Sequence, residues 1–161
     1  MKDEGFNVKI CTDKDTGFSH GGNALNCGTW MDKMGSAQSN RGIPSTPRDG
    51  APVEIVGLMY SVISFFAQLN KEGAYHHQSV SCHGETWTYE NWAAKIKDNF
   101  EKCFWVPVDK SEDSKHIIRG DHINRRGIYK DSFGSSHGYT DYQLRCNVPI
   151  AMAVAPEIFN R

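Results

Sequence analysis

Two stretches of the chain carry a helical repeat, and most of the remainder does not. After Pro52, the residues Ile55, Leu58, Met59, Val62, Ile63 and Phe66 recur at i, i+3, i+4 and i+7, which predicts an α-helix. Pro52 suits a first helical turn, because its missing N–H has no partner there in any case. Val56 and Phe65 put apolar groups on the other faces, so this helix is expected to be buried nearly all round. Gly73 supplies a stop. A second helix is predicted from about Tyr89 to Phe104. Trp92, Ile96, Phe100 and Cys103 form its apolar stripe, and Lys95, Lys97, Asp98 and Glu101 are expected to face water. A third apolar run, Val148 to Val154, reads as a helix start that Pro156 ends or kinks.

The long polar stretches need a different reading. Residues 5 to 50 are punctuated by Gly17, Gly21, Gly22, Gly28, Gly35, Gly42 and Gly50, which leaves little room for regular helix or sheet. Phe18, Trp30, Met31 and Met34 argue against disorder, so an ordered functional loop region with short strands or turns is expected. Between residues 75 and 88, Gln78 to Cys82 and Glu85 to Thr88 flank His83-Gly84 and suggest a hairpin. Residues 107 to 146 return to polar loop, with Asp109 to Lys115 expected to be its most mobile part. Two or three helices with about 80 loop residues do not make a closed domain, so the chain reads as part of a larger fold.

Composition narrows the partners. A chain of 161 residues is the size of one ordinary domain, and its 39% hydrophobic content suits a globular protein. The formal net charge of -1 gives no basic excess for nucleic acid or an anionic membrane, so neither is expected as a partner. The 5 cysteines are odd in number and form no C-x-x-C pair, which favours reduced thiols over a disulfide framework. The N-terminus opens Met1-Lys2-Asp3-Glu4, with acids where a signal peptide needs an apolar core. The longest apolar run, Ile55 to Leu69, has about 15 residues against the roughly 20 of a bilayer span. A soluble, cytoplasmic protein is therefore expected.

Three polar clusters carry candidate chemistry. Asp32 lies between Trp30, Met31 and Met34, and desolvation there raises a carboxyl pKa toward what a general acid needs. The same residue also suits a turn cap beside Gly35. Arg48 precedes the first helix and Glu54 lies in its first turn; they fit sugar hydroxyls, or each other, or in the case of Glu54 the helix dipole. Asp141 and Arg145 alternate with neutral residues at a loop-to-helix boundary, as a pocket edge or a set of caps. His76-His77 has no companion at metal-ligand spacing, so no metal is expected. The glycines match neither phosphate-loop pattern, and no G-x-S-x-G elbow is present.

Taken together, the motifs closely resemble one family. The runs Thr16-Gly-Phe18, Gly21-Gly-Asn23 and Asn26-Cys-Gly-Thr-Trp-Met-Asp-Lys-Met-Gly35 are similar to the C-terminal glucosidase domain of eukaryotic glycogen debranching enzymes. So are Asn40-Arg-Gly-Ile-Pro-Ser-Thr-Pro-Arg-Asp-Gly50, Val53-Glu-Ile-Val-Gly57, Asp98-Asn-Phe-Glu-Lys102, Arg126-Gly-Ile-Tyr-Lys-Asp-Ser132, Asp141-Tyr-Gln-Leu-Arg145 and Val154-Ala-Pro-Glu157. The matches run in collinear order along nearly the whole chain. Cys146 departs from the proline usual after the arginine, and Tyr75 to Trp87 matches only loosely.

The resemblance implies a mainly α fold: part of an (α/α)6 barrel of the glucoamylase type, with long ordered loops, residues 1–161 forming a fragment of that one domain. It implies amylo-α-1,6-glucosidase activity on glycogen or limit dextrin, with inversion and no metal or organic cofactor. Asp32 matches the general acid and Trp30 a pocket aromatic; Arg48, Glu54, Asp141 and Arg145 match polar pocket positions. The family's general base lies in a Gly-Pro-Glu-Trp segment that this sequence lacks, so the chain alone is expected to be inactive. Its expected partners are the rest of the barrel and an N-terminal domain with 4-α-glucanotransferase activity. The alternatives are a non-catalytic glycan-binding or scaffold protein derived from this domain, and a related glucoamylase-like or trehalase-like hydrolase.

Overall fold

Short strands frame three helices in the structure, a computed structural model that describes residues 10–24, 29 and 34–160. The first strands, β1 (Cys11–Thr12) and β2 (Ser19–His20), pair antiparallel. Strand β3 (Ala51–Pro52) leads directly into α1 (Val53–Lys71). Next come β4 (Ser79–Cys82), β5 (Glu85–Thr88), α2 (Tyr89–Phe104) and β6 (Trp105–Val106). The chain continues through β7 (Ile128–Tyr129) and β8 (Ser132–Phe133) to α3 (Asn147–Val154). Two antiparallel pairings join distant parts: Ala51 with Phe133 in β3–β8, and Trp105 with Tyr129 in β6–β7.

Local chemistry explains the boundaries. Before α1, the Val53 N–H donates to Asp131 O at 3.0 Å, so a neighbouring segment satisfies one of the helix's unpaired amides. The helix ends at Glu72 and Gly73, where glycine adopts a φ of 75° that a side chain would resist. Thr88 caps α2 by accepting from Asn91 N at 3.1 Å. The hairpin turn places His83 at φ 54° and Gly84 at φ 78°, the doubly left-handed geometry of a tight two-residue connection.

The helices pack around an aromatic core. Phe18, Val53, Val56, Ile96, Phe100, Phe104 and Ala151 are all buried in it. Phe100 stacks on Phe104 at 4.8 Å between centroids, and Phe159 meets Phe100 edge-on at 4.8 Å. Burying each such side chain contributes on the order of 1.5–3 kcal/mol. Helix α3 approaches α1 closely at Gly57, where an added Cβ would lie 2.9 Å from Ala151 Cβ. This contact places Arg145 and Asn147, just before and at the start of α3, near the beginning of α1.

Several expectations change. Helix α1 is not buried all round: Leu58, Val62 and Phe65 are 41%, 52% and 60% exposed, because α2 and α3, its main packing partners among the described residues, lie on its other side. At 19 residues α1 is long and apolar enough to cross a membrane by length and composition, which the shorter apolar run in the sequence understated. Here its inner face packs on α2 and α3, and its first turn holds a buried ion pair. Glu101 does not simply face water; it accepts from the Tyr129 hydroxyl and from Asn160 N. Lys95 donates to Lys14 O at 2.8 Å and lies over the Trp87 ring. The segment expected to be most mobile forms a 3-10 helix, Lys110–Lys115, capped by Asp109 and tied through Asp113 to both terminal nitrogens of Arg126.

Candidate active site

The turn that carries Arg48 is clamped from two sides. Gly50 exchanges two backbone hydrogen bonds of 2.9 Å with Gly21, while Ala51 pairs with Phe133. Gly50 has a φ of 84°, and a Cβ there would stand 2.6 Å from Phe133 O. Only glycine fits both the backbone conformation and the space. The clamp turns Arg48 inward, where it is fully buried.

Arg48 then uses every N–H of its guanidinium inside the protein. Nε donates to Asp131 Oδ2 at 2.6 Å. Nη1 donates to Glu54 Oε1 at 2.5 Å and Thr29 Oγ1 at 2.8 Å. Nη2 donates to Glu54 Oε2 at 2.7 Å and Asp131 O at 3.1 Å. Burial alone would lower the Arg48 pKa, but the hydrogen bonds to Glu54 and the Asp131 charge hold it above the ordinary arginine value. Burial pushes the Asp131 carboxyl upward, and Arg48, Asn147 and Arg145 act against that push. Asn147 Nδ2 donates to Asp131 Oδ1 at 2.7 Å. Arg145 Nη1 stands 3.8 Å from Asp131 Oδ2 and makes no hydrogen bond among the described residues.

Asp141 organises the adjoining loop. Its Oδ1 accepts from Ser132 Oγ at 2.9 Å and Ser135 N at 3.2 Å, and its Oδ2 accepts from Gly134 N at 3.1 Å. Burial raises its pKa, against the opposing hydrogen bonds of Ser135 and Ser132. The loop in turn holds Asp49, since Ser135 Oγ donates to Asp49 O and Ser136 donates to Asp49 Oδ2 through N–H and hydroxyl. Beneath it, buried Lys130 donates to Cys103 O at 2.7 Å and Ile117 O at 2.5 Å.

Four of the six site residues expected from sequence therefore gather around residues 131–135. Arg48 and Glu54 face each other rather than open space, with no Arg48 N–H left over. Arg145 keeps 28% of its side chain exposed, at the edge of an apolar hollow lined in part by Trp105, Tyr129, Leu144 and Met152. Asp32 and Trp30 lie outside the described residues, but Thr29 next to Trp30 is tied directly to Arg48. Asp131, in the matched run Arg126 to Ser132, joins the Arg48 network, and nothing in its local composition separates it from a loop aspartate. Among the described residues no group of three or more His, Cys, Asp and Glu is placed to hold a metal ion.

Residues 2–161 match the family model described as amylo-alpha-1,6-glucosidase. The glycogen debranching enzyme of Saccharomyces cerevisiae is 47% identical over 163 residues, covering 99% of this chain. The chain spans 11% of that relative's length. Motifs, collinear order and identity agree, and the chain belongs to the amylo-alpha-1,6-glucosidase family.

Proposed function

We propose that this chain supplies the proton donor and part of the sugar pocket of an enzyme that hydrolyses α-1,6-linked glucose at glycogen branch points. The observation that carries the reading is the 2.8 Å bond from Arg48 Nη1 to Thr29 Oγ1, which ties Thr29, three positions before Asp32 in the sequence, to the Arg48–Glu54–Asp131 network. Asp32, protonated, gives its proton to the glycosidic oxygen as the bond to glucose C1 breaks. A second carboxylate, supplied by another part of the complete polypeptide, takes a proton from the water that attacks C1 from the opposite face, inverting the anomeric centre.

Trp30 offers an apolar platform to the sugar ring, and Arg145 a donor from the pocket edge. Arg48 and Glu54 form the pocket's frame, and Asp141 holds the loop beside it. Helices α1, α2 and α3 are read as members of an (α/α)6 barrel, with residues 1–161 a fragment of that glucosidase domain. The reading needs no metal or organic cofactor. It places the enzyme in the cytoplasm with glycogen or limit dextrin as substrate. The rest of the barrel and an N-terminal 4-α-glucanotransferase domain are its partners. The name of the yeast relative and the small matched share of its length support this assignment.

The test is glucose release from a branched limit dextrin by the complete polypeptide and by residues 1–161 alone. The complete protein should release glucose and the isolated chain should not. Asp32→Asn in the complete protein should abolish release while sparing glycogen binding. Near-normal turnover in that variant would remove Asp32 from the mechanism.

A further inference from the structure

We propose that Cys11 and His20 form a reactive thiol–imidazole pair, a site at which low-molecular-weight disulfides attach to this chain. The chemistry is separate from glycoside hydrolysis and does not depend on it. Cys11 is exposed, so a dissolved disulfide can reach it. Its Sγ lies 3.1 Å from His20 Nε2. The two residues face each other across the β1–β2 pairing, so the sheet register sets their approach. The connection between the strands is firm. Asp13 Oδ1 accepts from Thr16 N at 2.7 Å and from the Thr16 hydroxyl at 2.8 Å, which closes the turn. Trp92 Nε1 donates to Gly17 O at 2.8 Å and ties that turn to α2.

The thiol gives its proton to the His20 imidazole, and the resulting thiolate attacks one sulfur of the disulfide. A new S–S bond forms at Cys11 as the old one breaks. The departing thiolate takes the proton from the imidazolium and leaves as a thiol. The attacking disulfide is thus the oxidant, and its second half is the reduced product. Asp13 interacts electrostatically with His20, and its negative charge balances the imidazolium formed midway. Beside them a hollow of about 180 Å³, lined in part by Asp13, Thr16, His20 and Phe133, gives room for the attached group. The other described thiols differ. Cys103 is buried, and burial pushes its thiol up to about 11, which keeps it protonated. Cys82 is half-buried. Cys146 is exposed, but its Sγ meets the Asn147 side-chain oxygen at 3.9 Å, and an amide does not take the proton. Exposure alone therefore does not separate Cys11 from Cys146; the imidazole does.

The experiment treats the complete polypeptide with glutathione disulfide and follows each adduct by peptide mass spectrometry. Cys11 should be labelled about 10-fold faster than Cys146 in the folded protein, and a reducing agent should remove the adduct. His20→Asn should slow labelling of Cys11 to the Cys146 rate and leave Cys146 unchanged. Urea should bring the two wild-type rates together, because unfolding separates the pair. Equal rates in the folded wild type would overturn the proposal, as would His20→Asn with Cys11 as fast as before. A preference that survives in urea would also overturn it, since local sequence rather than the folded pair would then be the cause. If His20→Asn does not fold, the comparison of folded and urea-treated wild type decides alone.

Discussion

Arg48 and Glu54 meet through two roughly parallel N–H···O contacts of 2.5 and 2.7 Å, with neither side chain exposed. One residue precedes α1 and the other belongs to its first turn, so the pair fixes how the chain enters the helix. Asp131 takes the remaining side of the guanidinium, and Asn147 links Asp131 to α3. One buried arginine thus joins the turn before α1, the segment before β8, the start of α3 and the stretch beside Trp30. Buried ion pairs add little net stability over apolar packing, but their geometry can specify one arrangement. In this protein we read the network as a device for holding these chain segments in register.

Arg48→Lys tests that device. One ammonium cannot reproduce the fork that serves Glu54 and Asp131 together, so a buried carboxylate is left without its partner. The expected loss is about 3–5 kcal/mol, read from the midpoint and slope of urea unfolding. Glu54→Gln should cost less, and the two losses combined should fall short of their sum, because they break the same contact. Additive losses would show that the two side chains do not act as a unit.

The helices were legible because the apolar repeat and the local stops agree: Pro52 and Gly73 bracket α1, and Trp92, Ile96, Phe100 and Cys103 mark the inward stripe of α2. The hairpin was legible because His83-Gly84 suits a tight turn. The outward face of α1 was not, since periodicity marks Leu58 and Val62 as apolar without saying what covers them. The buried polar network was legible only in its members, not in its pairings. Arg48, Glu54, Asp141 and Arg145 stood out through their motifs, but that Arg48 meets Asp131 83 positions away is a product of chain folding that no local spacing reveals. The use of Glu101 follows the same logic, because its partners come from β7 and from Asn160.

Gly50→Ala and Gly134→Ala form a matched pair. Both glycines have positive φ, at 84° and 78°, so alanine costs about 1–2 kcal/mol at either one. At Gly134 an added Cβ meets nothing within 4 Å, whereas at Gly50 it would meet Phe133 O at 2.6 Å. Gly50→Ala should therefore be the more destabilising by at least about 1 kcal/mol, since the β3–β8 pairing has to open. Equal losses in chemical denaturation would mean that the close approach to Phe133 is not constraining.

Lys130 makes stability depend on alkaline pH. Burial lowers its pKa from 10.5 to about 8, with the nearby Asp141 charge acting against the shift. Between those values the unfolded chain holds a proton that the folded chain has lost, so stability rises with pH. Cys103 works the other way: burial raises its thiol from 9.0 to about 11, and above pH 9 the folded chain keeps a proton that the unfolded one loses. The two effects together give a rise of about 1 kcal/mol from pH 8 to 9 and a plateau between pH 9 and 10. Lys130→Met should lack the rise and show only the decline above pH 9. A pH-independent difference between the variant and wild type in unfolding free energy would remove Lys130 as the source.

The outer face of α1 gives the last prediction. Ile55, Leu58, Val62, Phe65 and Leu69 follow a three-four spacing along one side of the helix, and the middle three are 41%, 52% and 60% exposed. A continuous apolar row of this kind promotes association in water. Residues 1–161 alone should therefore bind a fluorescent apolar dye and self-associate as concentration rises. Replacing Leu58, Val62 and Phe65 together with glutamine should reduce both effects. The changes at Leu58 and Val62 should each alter stability by no more than about 0.5 kcal/mol and that at Phe65 by about 1 kcal/mol, since the Phe65 ring lies 6.3 Å from that of Phe66. Helix content, read by circular dichroism, should be unchanged, since glutamine is a good helix former and β-branched valine is not. Dye binding that persists in the triple variant would place the sticky surface elsewhere. A loss of helix would show that this row packs against the protein's own core.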